Sequence, residues 1–204
     1  MDATRIKASM SDDSTWIDAV RRGDRNAFRA AVEAHARPLY VLCLRITREP
    51  MLAEDAVQEA FFNAYRHLDA FDGRASVKTW LHRIAVNAAL EQLRRHGTCT
   101  LATTTDLDDE GDSFLDRQID DAPRPDQHVH GVEIGRRIGD QMDSLTPLER
   151  AAFVMRHHEG ESLEVIAQTL SLNISASKQA IFRAVRKLRV ALQPLRESAP
   201  ARLP

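Results

Sequence analysis

Residues 71–95, FDGRASVKTWLHRIAVNAALEQLRR, constrain this chain more than any other stretch. They open on a turn, Phe71-Asp72-Gly73-Arg74, and Ser76 stands where a helix N-cap belongs. At 100° per residue, Val77, Trp80, Leu81, Ile84, Ala85 and Ala88 gather on one face. That period predicts a long helix with one side buried. Arg83, Asn87 and Arg94 form a second stripe within about 40° of one another, and Trp80 borders both. Two readings fit. A core helix with a solvated basic flank is the commoner outcome of such a pattern. An aromatic beside two guanidinium groups and an amide can also stack on an unpaired base and hold its phosphates.

The same period recurs on both sides of this stretch. Residues 1–13 are polar and aperiodic, and are expected to be disordered. Trp16, Ile17 and Val20 begin a helical pattern, Gly23-Asp24 interrupts it, and Phe28, Ala31 and Val32 resume it. Pro38 predicts the start of a second helix through Leu39, Leu42 and Ile46, closed by Pro50. A third helix is predicted over 51–68, with Val57, Ala60, Phe61, Ala64, Tyr65 and Leu68 inward. Glu54, Asp55, Gln58 and Glu59 make a polar, acidic patch near its start, where a helix dipole favours acids. With residues 71–95, this is a four-helix domain over 14–96.

Charge separates this domain from the next segment. The net charge of −2 does not announce a nucleic-acid binder, but its distribution is uneven. Residues 97–130 hold nine acids against two arginines, and the remainder holds 26 Lys and Arg against 21 Asp and Glu. Residues 97–131, with Asp106, Asp108, Asp109, Glu110 and Asp112, read as a flexible acidic linker. A second domain is expected over 132–195. Ile134, Ile138, Met142 and Leu145 predict one helix. Thr146-Pro147-Leu148-Glu149 is a capping box with proline at the first helical position, and Gly160 is the predicted stop. Ser162 caps a helix over 163–170, and Ser171-Leu172-Asn173 turns into a last helix over about 175–192. Two helices so joined read as helix-turn-helix. Ile181, Ala184, Val185, Leu188 and Leu192 face inward, while Gln179, Arg183 and Arg186 form an outer stripe with Lys187 nearby. Residues 196–204 are a loose tail.

The fold class is therefore all-α: two small helical domains, expected to bury little against each other. Only 5% of residues are aromatic, so aliphatics must build the core. No apolar run is long enough for a membrane span and the polar N-terminus is no signal peptide, so the chain reads as soluble and cytoplasmic. Cys43 sits in an apolar run and reads as a packing residue, and Cys99 lies just past a helix end. His128 and His130 in the linker, and His157-His158, have no clustered partners, so no metal is expected. No nucleophile-base pair or phosphate loop argues for catalysis, a cofactor or a small-molecule substrate.

Phe71, Gly73, Trp80-Leu81, Arg83-Ile84-Ala85, Asn87 and Arg94-Arg95 stand in an order that resembles region 2 of bacterial sigma factors. The branch most like it is the two-domain extracytoplasmic-function (ECF) group of the sigma-70 family. The resemblance covers about residues 16–95 and 134–192. It implies a dissociable initiation subunit of RNA polymerase, partnered by the β′ clamp and β flap of the core enzyme, by promoter DNA and by an anti-sigma factor. The run around Asp55, Gln58 and Glu59 is similar to region 2.2, which docks on the clamp. Phe71 and Asn87 match positions around a flipped non-template base of the −10 element, Trp80 a supporting position, and Arg83 and Arg94 lie on the same DNA side. The end of the chain resembles region 4, which reads the −35 element. A Ser175 cap would offer helix amides to a phosphate, Gln179 and Arg183 would face base edges, and Lys178, Arg186 and Lys187 complete the basic contact set. Ser177 takes a normally apolar place in that pattern and Ala180 one that is often arginine, which implies fewer −35 contacts. Other readings remain: a stand-alone helix-turn-helix regulator, or a sigma-mimicking interaction protein.

Overall fold

The computed structural model describes residues 15–97 and 141–197 of the chain. The predicted first helix of the second domain, apart from its last residues, and most of the acidic linker, with Cys99, His128 and His130, lie outside the described residues. So do the predicted disordered N-terminus and most of the tail. Among the described residues, all regular structure is helical.

The first domain holds α1 (Thr15–Arg21), α2 (Arg25–Thr47), α3 (Pro50–Arg66) and α4 (Val77–Arg95). Four helices were expected, but one boundary differs. The break falls at Gly23-Asp24, and α2 runs unbroken through Pro38. Gly23 takes a φ of +96°, open to glycine at little cost. Asp24 then caps α2, its carboxylate accepting from the amides of Asn26 at 2.9 Å and Ala27 at 3.3 Å. Proline inside a helix deletes one hydrogen bond and crowds the preceding turn. Here Ala31, Leu39, Leu42, Cys43 and Ile46 share one buried face spanning Pro38, and only a continuous helix keeps them in register. Burying a large aliphatic side chain contributes about 1.5–3 kcal/mol, so several together outweigh the proline.

Helix α4 lies against α2 and α3. Val77, Leu81, Ala85 and Ala88 are buried as their spacing predicts, with Trp80 and Ile84 half-buried. Val86, Ala89 and Leu93 are buried too, so the enclosed arc is wider than one stripe. Ser76 caps the helix by accepting from the Thr79 amide at 3.0 Å. Cys43 is buried against it, its Sγ donating to the Ala85 carbonyl at 3.7 Å, and burial pushes the thiol pKa up to about 12.

The second domain holds a 3₁₀ turn (Met142–Ser144), α5 (Pro147–His157), α6 (Leu163–Leu170) and α7 (Ile174–Glu197). The capping box is complete: Thr146 Oγ1 accepts from the Glu149 amide at 3.3 Å, and Glu149 accepts from the Thr146 amide at 3.0 Å. Ser162 caps α6, and Ser171 makes the left-handed turn (φ 55°) before α7. The cap of α7 is Asn173, whose side chain accepts from the Ala176 amide at 2.7 Å. Ser175 is therefore inside the helix, not its cap. Ser177 is fully buried but satisfied, its hydroxyl donating to the Asn173 carbonyl at 3.0 Å. That is how a hydroxyl occupies a place suited to an apolar side chain.

The domains do not stay apart. Met142 and Leu145 join the apolar cluster that includes Ile46, Leu52 and Leu81, and α5 packs on α2 and α4. Arg150 is buried, donating to the Ile46 carbonyl at 3.0 Å and to the Leu145 carbonyl at 3.1 Å. Ile46 is in the last turn of α2, where carbonyls lack helical partners and the dipole favours a cation. A guanidinium of the second domain thus closes a helix end of the first. Burial, only partly offset by the Asp143 carboxylate and reinforced by the like charge of Arg48, pulls its pKa below the ordinary value.

Candidate nucleic-acid and polymerase interface

On α3, Asp55 and Gln58 are exposed beside a shallow groove lined in part by Ala36, Tyr40, Val57 and Gln58. Glu59 differs from its neighbours. It is half-buried, accepts from Gln92 Nε2 at 2.9 Å, and pairs with both terminal nitrogens of Arg95 at 3.3 Å. Only part of the acidic patch faces solvent; Glu59 ties α3 to α4.

The Phe71 loop is fastened from α1. Arg21 Nη2 donates to the carbonyls of Leu68 and Phe71, each at 2.8 Å. The Phe71 and Trp80 rings meet at 5.2 Å between centroids, tilted by 56°. Both are half-buried, and Asn87 is exposed further along α4. The structure therefore brings Phe71 and Trp80 together, with Asn87 about two turns from Trp80 on the same helix. The two arginines of the stripe are engaged elsewhere. Arg83 Nη2 donates to Gln168 Oε1 on α6 at 3.1 Å. Arg94 pairs with Glu91 one turn before it, and Arg95 also reaches Glu91 at 3.1 Å.

The outward face of α7 presents Ser175, Arg183, Arg186 and Lys187, while Lys178 and Gln179 are half-buried. Phe182, half exposed at 51%, lies among them and was not picked out from the sequence. Ala180 is buried, so nothing polar replaces an arginine there. Lys187 Nζ sits 2.7 Å from Glu149 Oε2, and Arg183 Nε 3.9 Å from Glu149 Oε1. One carboxylate therefore completes the capping box of α5 and steadies two cations of α7.

His82, Glu149, Arg150 and Glu159 were not singled out as functional. His82 is 5% exposed on α4, with Nδ1 3.2 Å from Glu159 Oε2 but without the alignment of a regular hydrogen bond. Arg45 and Lys78 approach the same carboxylate at 3.8 and 3.6 Å. His82 first, then Lys78 and Arg45, hold the Glu159 carboxyl below its ordinary range against the opposing effect of burial. Among the described residues, no group of three or more candidate ligands could hold a metal ion, and no helix is long and apolar enough to cross a membrane.

The chain matches Sigma-70 region 2 over residues 31–98 and Sigma-70, region 4 over residues 135–188. It is 31% identical to RNA polymerase sigma-H factor of Pseudomonas aeruginosa, over 94% of this chain and 99% of that protein. It is 29% identical to the ECF sigma factor SigW of Bacillus subtilis, over 88% and 96%, and 29% identical to the ECF sigma-E factor of Escherichia coli, over 90% and 95%. Its fold is similar to CnrH solved with the cytosolic domain of CnrY, with a TM-score of 0.58 and 21% identity over 89% of this chain and 97% of that one. A second similar structure is the sigma factor RpoE with the anti-sigma factor NepR from Bartonella quintana, with a TM-score of 0.56 and 21% identity over 81% and 96%. Two helical domains in this order, matched along nearly their whole length, place the chain in the sigma-70 family, among the extracytoplasmic-function sigma factors.

Proposed function

We propose that this alternative sigma factor, which directs transcription initiation, does so with α4 on the −10 element and α7 on the −35 element. The observation that carries the reading is the pair of stripes: exposed Asn87 and Arg94 with half-buried Arg83 on α4, and exposed Arg183, Arg186 and Lys187 on α7. Phe71 and Trp80, already in ring contact, form one wall of a pocket for an extruded base, and Asn87 supplies its polar contact. Extrusion costs a few kcal/mol, which stacking offsets. On α7, Gln179 and Arg183 face base edges, while Lys178, Arg186 and Lys187 set the register through phosphates. Ser175, in the first turn of α7, sits where amides meet a phosphate. Asp55 and Gln58 meet the core polymerase clamp, with Glu59 at the edge of that surface, and region 4 meets the flap. Acids facing a basic partner surface steer and orient the encounter.

The chain supplies no catalysis; nucleotidyl transfer and its metal belong to the core enzyme, and the site of action is the cytoplasm. An anti-sigma factor, as in the NepR complex of its structural relative RpoE, is the expected regulator. The deciding experiment is transcription in vitro from a randomised promoter library by purified core polymerase with and without this chain. Selection of transcripts sharing −10 and −35 elements, lost on Asp55→Arg with Gln58→Ala, is expected. A chain that binds duplex DNA or polymerase without starting transcripts would instead be a regulator or an antagonist.

A further inference from the structure

The proposed base pocket is built from a loop as well as a helix. Phe71 follows the 3₁₀ turn Leu68–Ala70 and precedes the turn at Gly73, whose φ is +75°. The loop's own bonds are short-range. The Ala70 amide donates to the His67 carbonyl at 3.0 Å, the Phe71 amide to the Leu68 carbonyl at 3.2 Å, and the Arg74 amide to the Asp72 carboxylate at 3.0 Å. Such bonds shape a turn without tying it to the rest of the domain. Trp80 holds the Phe71 ring, at 5.2 Å between centroids, but a ring contact leaves the backbone behind it free to rock. That backbone is held from α1. Arg21 Nη2 donates to the carbonyls of Leu68 and Phe71, each at 2.8 Å, from 47 and 50 residues away. Its other nitrogens have partners too: Nη1 lies 3.5 Å from Asp18 and Nε 3.8 Å from Asp69.

We propose that Arg21 is a positioning residue for base extrusion: from α1 it fixes the backbone of the Phe71 loop, so that the Phe71 ring is set against Trp80 before the −10 strand arrives. The proposal rests on the functional reading above. The geometry calls for a guanidinium. Arg21 ends α1, where the dipole favours any cation, and a lysine would serve that purpose equally. A planar fork, by contrast, aims separate N–H groups at two carbonyls and two carboxylates at once, which a point-like ammonium does not. Its charge also makes each bond to a carbonyl stronger than a neutral one. A loop already ordered gives up less freedom when a base is seated, and the difference appears as affinity for the extruded strand. Arg21 thus acts through Phe71 and not on the DNA.

The test uses the full-length chain, first free and then bound to core polymerase. Arg21→Lys keeps the charge and loses the fork, and Arg21→Met loses both. The Arg21 side chain is 33% exposed, so both variants should keep wild-type helicity. In the free chain, amide hydrogen exchange over residues 68–76 should quicken about tenfold in both, the scale of one charge-assisted hydrogen bond, with the amides of α4 unchanged. With core polymerase, a fluorescent single strand carrying the −10 sequence selected in the library experiment should bind both about tenfold more weakly. Core affinity should be unchanged and the salt slope within about half a unit of wild type. In a Phe71→Ala background, Arg21→Lys should cost nothing further, because the two residues act as a unit. A direct phosphate contact would instead leave Arg21→Lys near wild type and take about a unit of salt slope from Arg21→Met, and would overturn the proposal. So would exchange or strand binding that matches wild type in Arg21→Lys, or a loss of the same size without Phe71. A wild type that starts no transcripts with core polymerase would sink the functional reading, and the exchange comparison on the free chain would still decide whether Arg21 holds the loop.

Discussion

Helices α4 and α7 both carry basic stripes, but they are differently enclosed. Helix α4 is buried at Leu81, His82, Ala85, Val86, Ala89 and Leu93 and touches four other helices, α2, α3, α5 and α6. Helix α7 buries a single face, Ala176, Ser177, Ala180, Ala184 and Leu188, against α5 and α6. The stripe of α4 is therefore wired to its surroundings: Arg83 to Gln168, Arg94 and Arg95 to Glu91, and Arg95 to Glu59. The stripe of α7 meets the Glu149 carboxylate of α5, which pairs with Lys187 and Arg183. Reading and folding are therefore entangled on α4 and largely separable on α7.

The largest effect should come from the enclosed side of α4. Leu81→Ala opens a cavity beneath the stripe and should cost about 2–5 kcal/mol in urea unfolding. A loss under about 1 kcal/mol would mean that α4 is less enclosed than its contacts imply, and the contrast with α7 would weaken.

Next in size are the reading positions themselves. Asn87→Ala, at an exposed site, should leave urea stability within about 0.5 kcal/mol. Permanganate footprinting should nevertheless show open complex reduced by the equivalent of about 1–3 kcal/mol. Unchanged thymine reactivity would remove Asn87 from the pocket. On α7, Arg183→Ala should change preference at one −35 position by about 1–3 kcal/mol in a promoter library. Identical −35 preferences with and without Arg183 would move the reading face to another side of the helix.

A smaller effect is expected at Lys187. Held by Glu149, it offers less to a phosphate than its sequence position suggests, so Lys187→Ala should reduce the salt slope of promoter binding by less than the full unit of one phosphate contact. A full unit would show that DNA wins the ammonium from Glu149.

The overall design was legible because it rests on local rules. Apolar spacing placed α3 and α4, Thr146-Pro147-Leu148-Glu149 announced the start of α5, and Ser162 that of α6. Pro38 misled because a local rule about breaks lost to a buried face that spans it. Ser175 misled because Asn173, two residues earlier, is also a good cap, and the turn geometry chose it. Val86, Ala89 and Leu93 are buried beyond the apolar face that spacing picked out, and mark α4 as a helix enclosed on more than one side. Contacts between the halves were out of reach. Nothing about Arg150 or Glu159 in sequence says that its partner lies over 70 residues away, at Ile46 or His82. Glu59 reads as one more acid in a patch until Gln92 and Arg95 are brought to it.

Acidity should probe that junction most gently. The Glu159 pKa lies below its ordinary value of 4.5, so its contribution to the contact between the domains is fully present above pH 4.5 and fades as pH falls through the lowered value. Scattering in a pH series, with helicity tracked alongside, should show expansion below pH 4.5 before the helices melt. Expansion that begins well above that value would point to a different group.

The thiol of Cys43 has a consequence for how this protein can be watched. With a pKa near 12, about one molecule in 10⁵ carries a thiolate there at neutral pH, and the sulfur is sealed from solvent. Oxidants and alkylating reagents should pass it by for as long as α2 and α4 stay together. In a Cys99→Ser background the rate at which this sulfur takes up a label would then be a clock for the first domain alone. It would tick only when that domain comes apart.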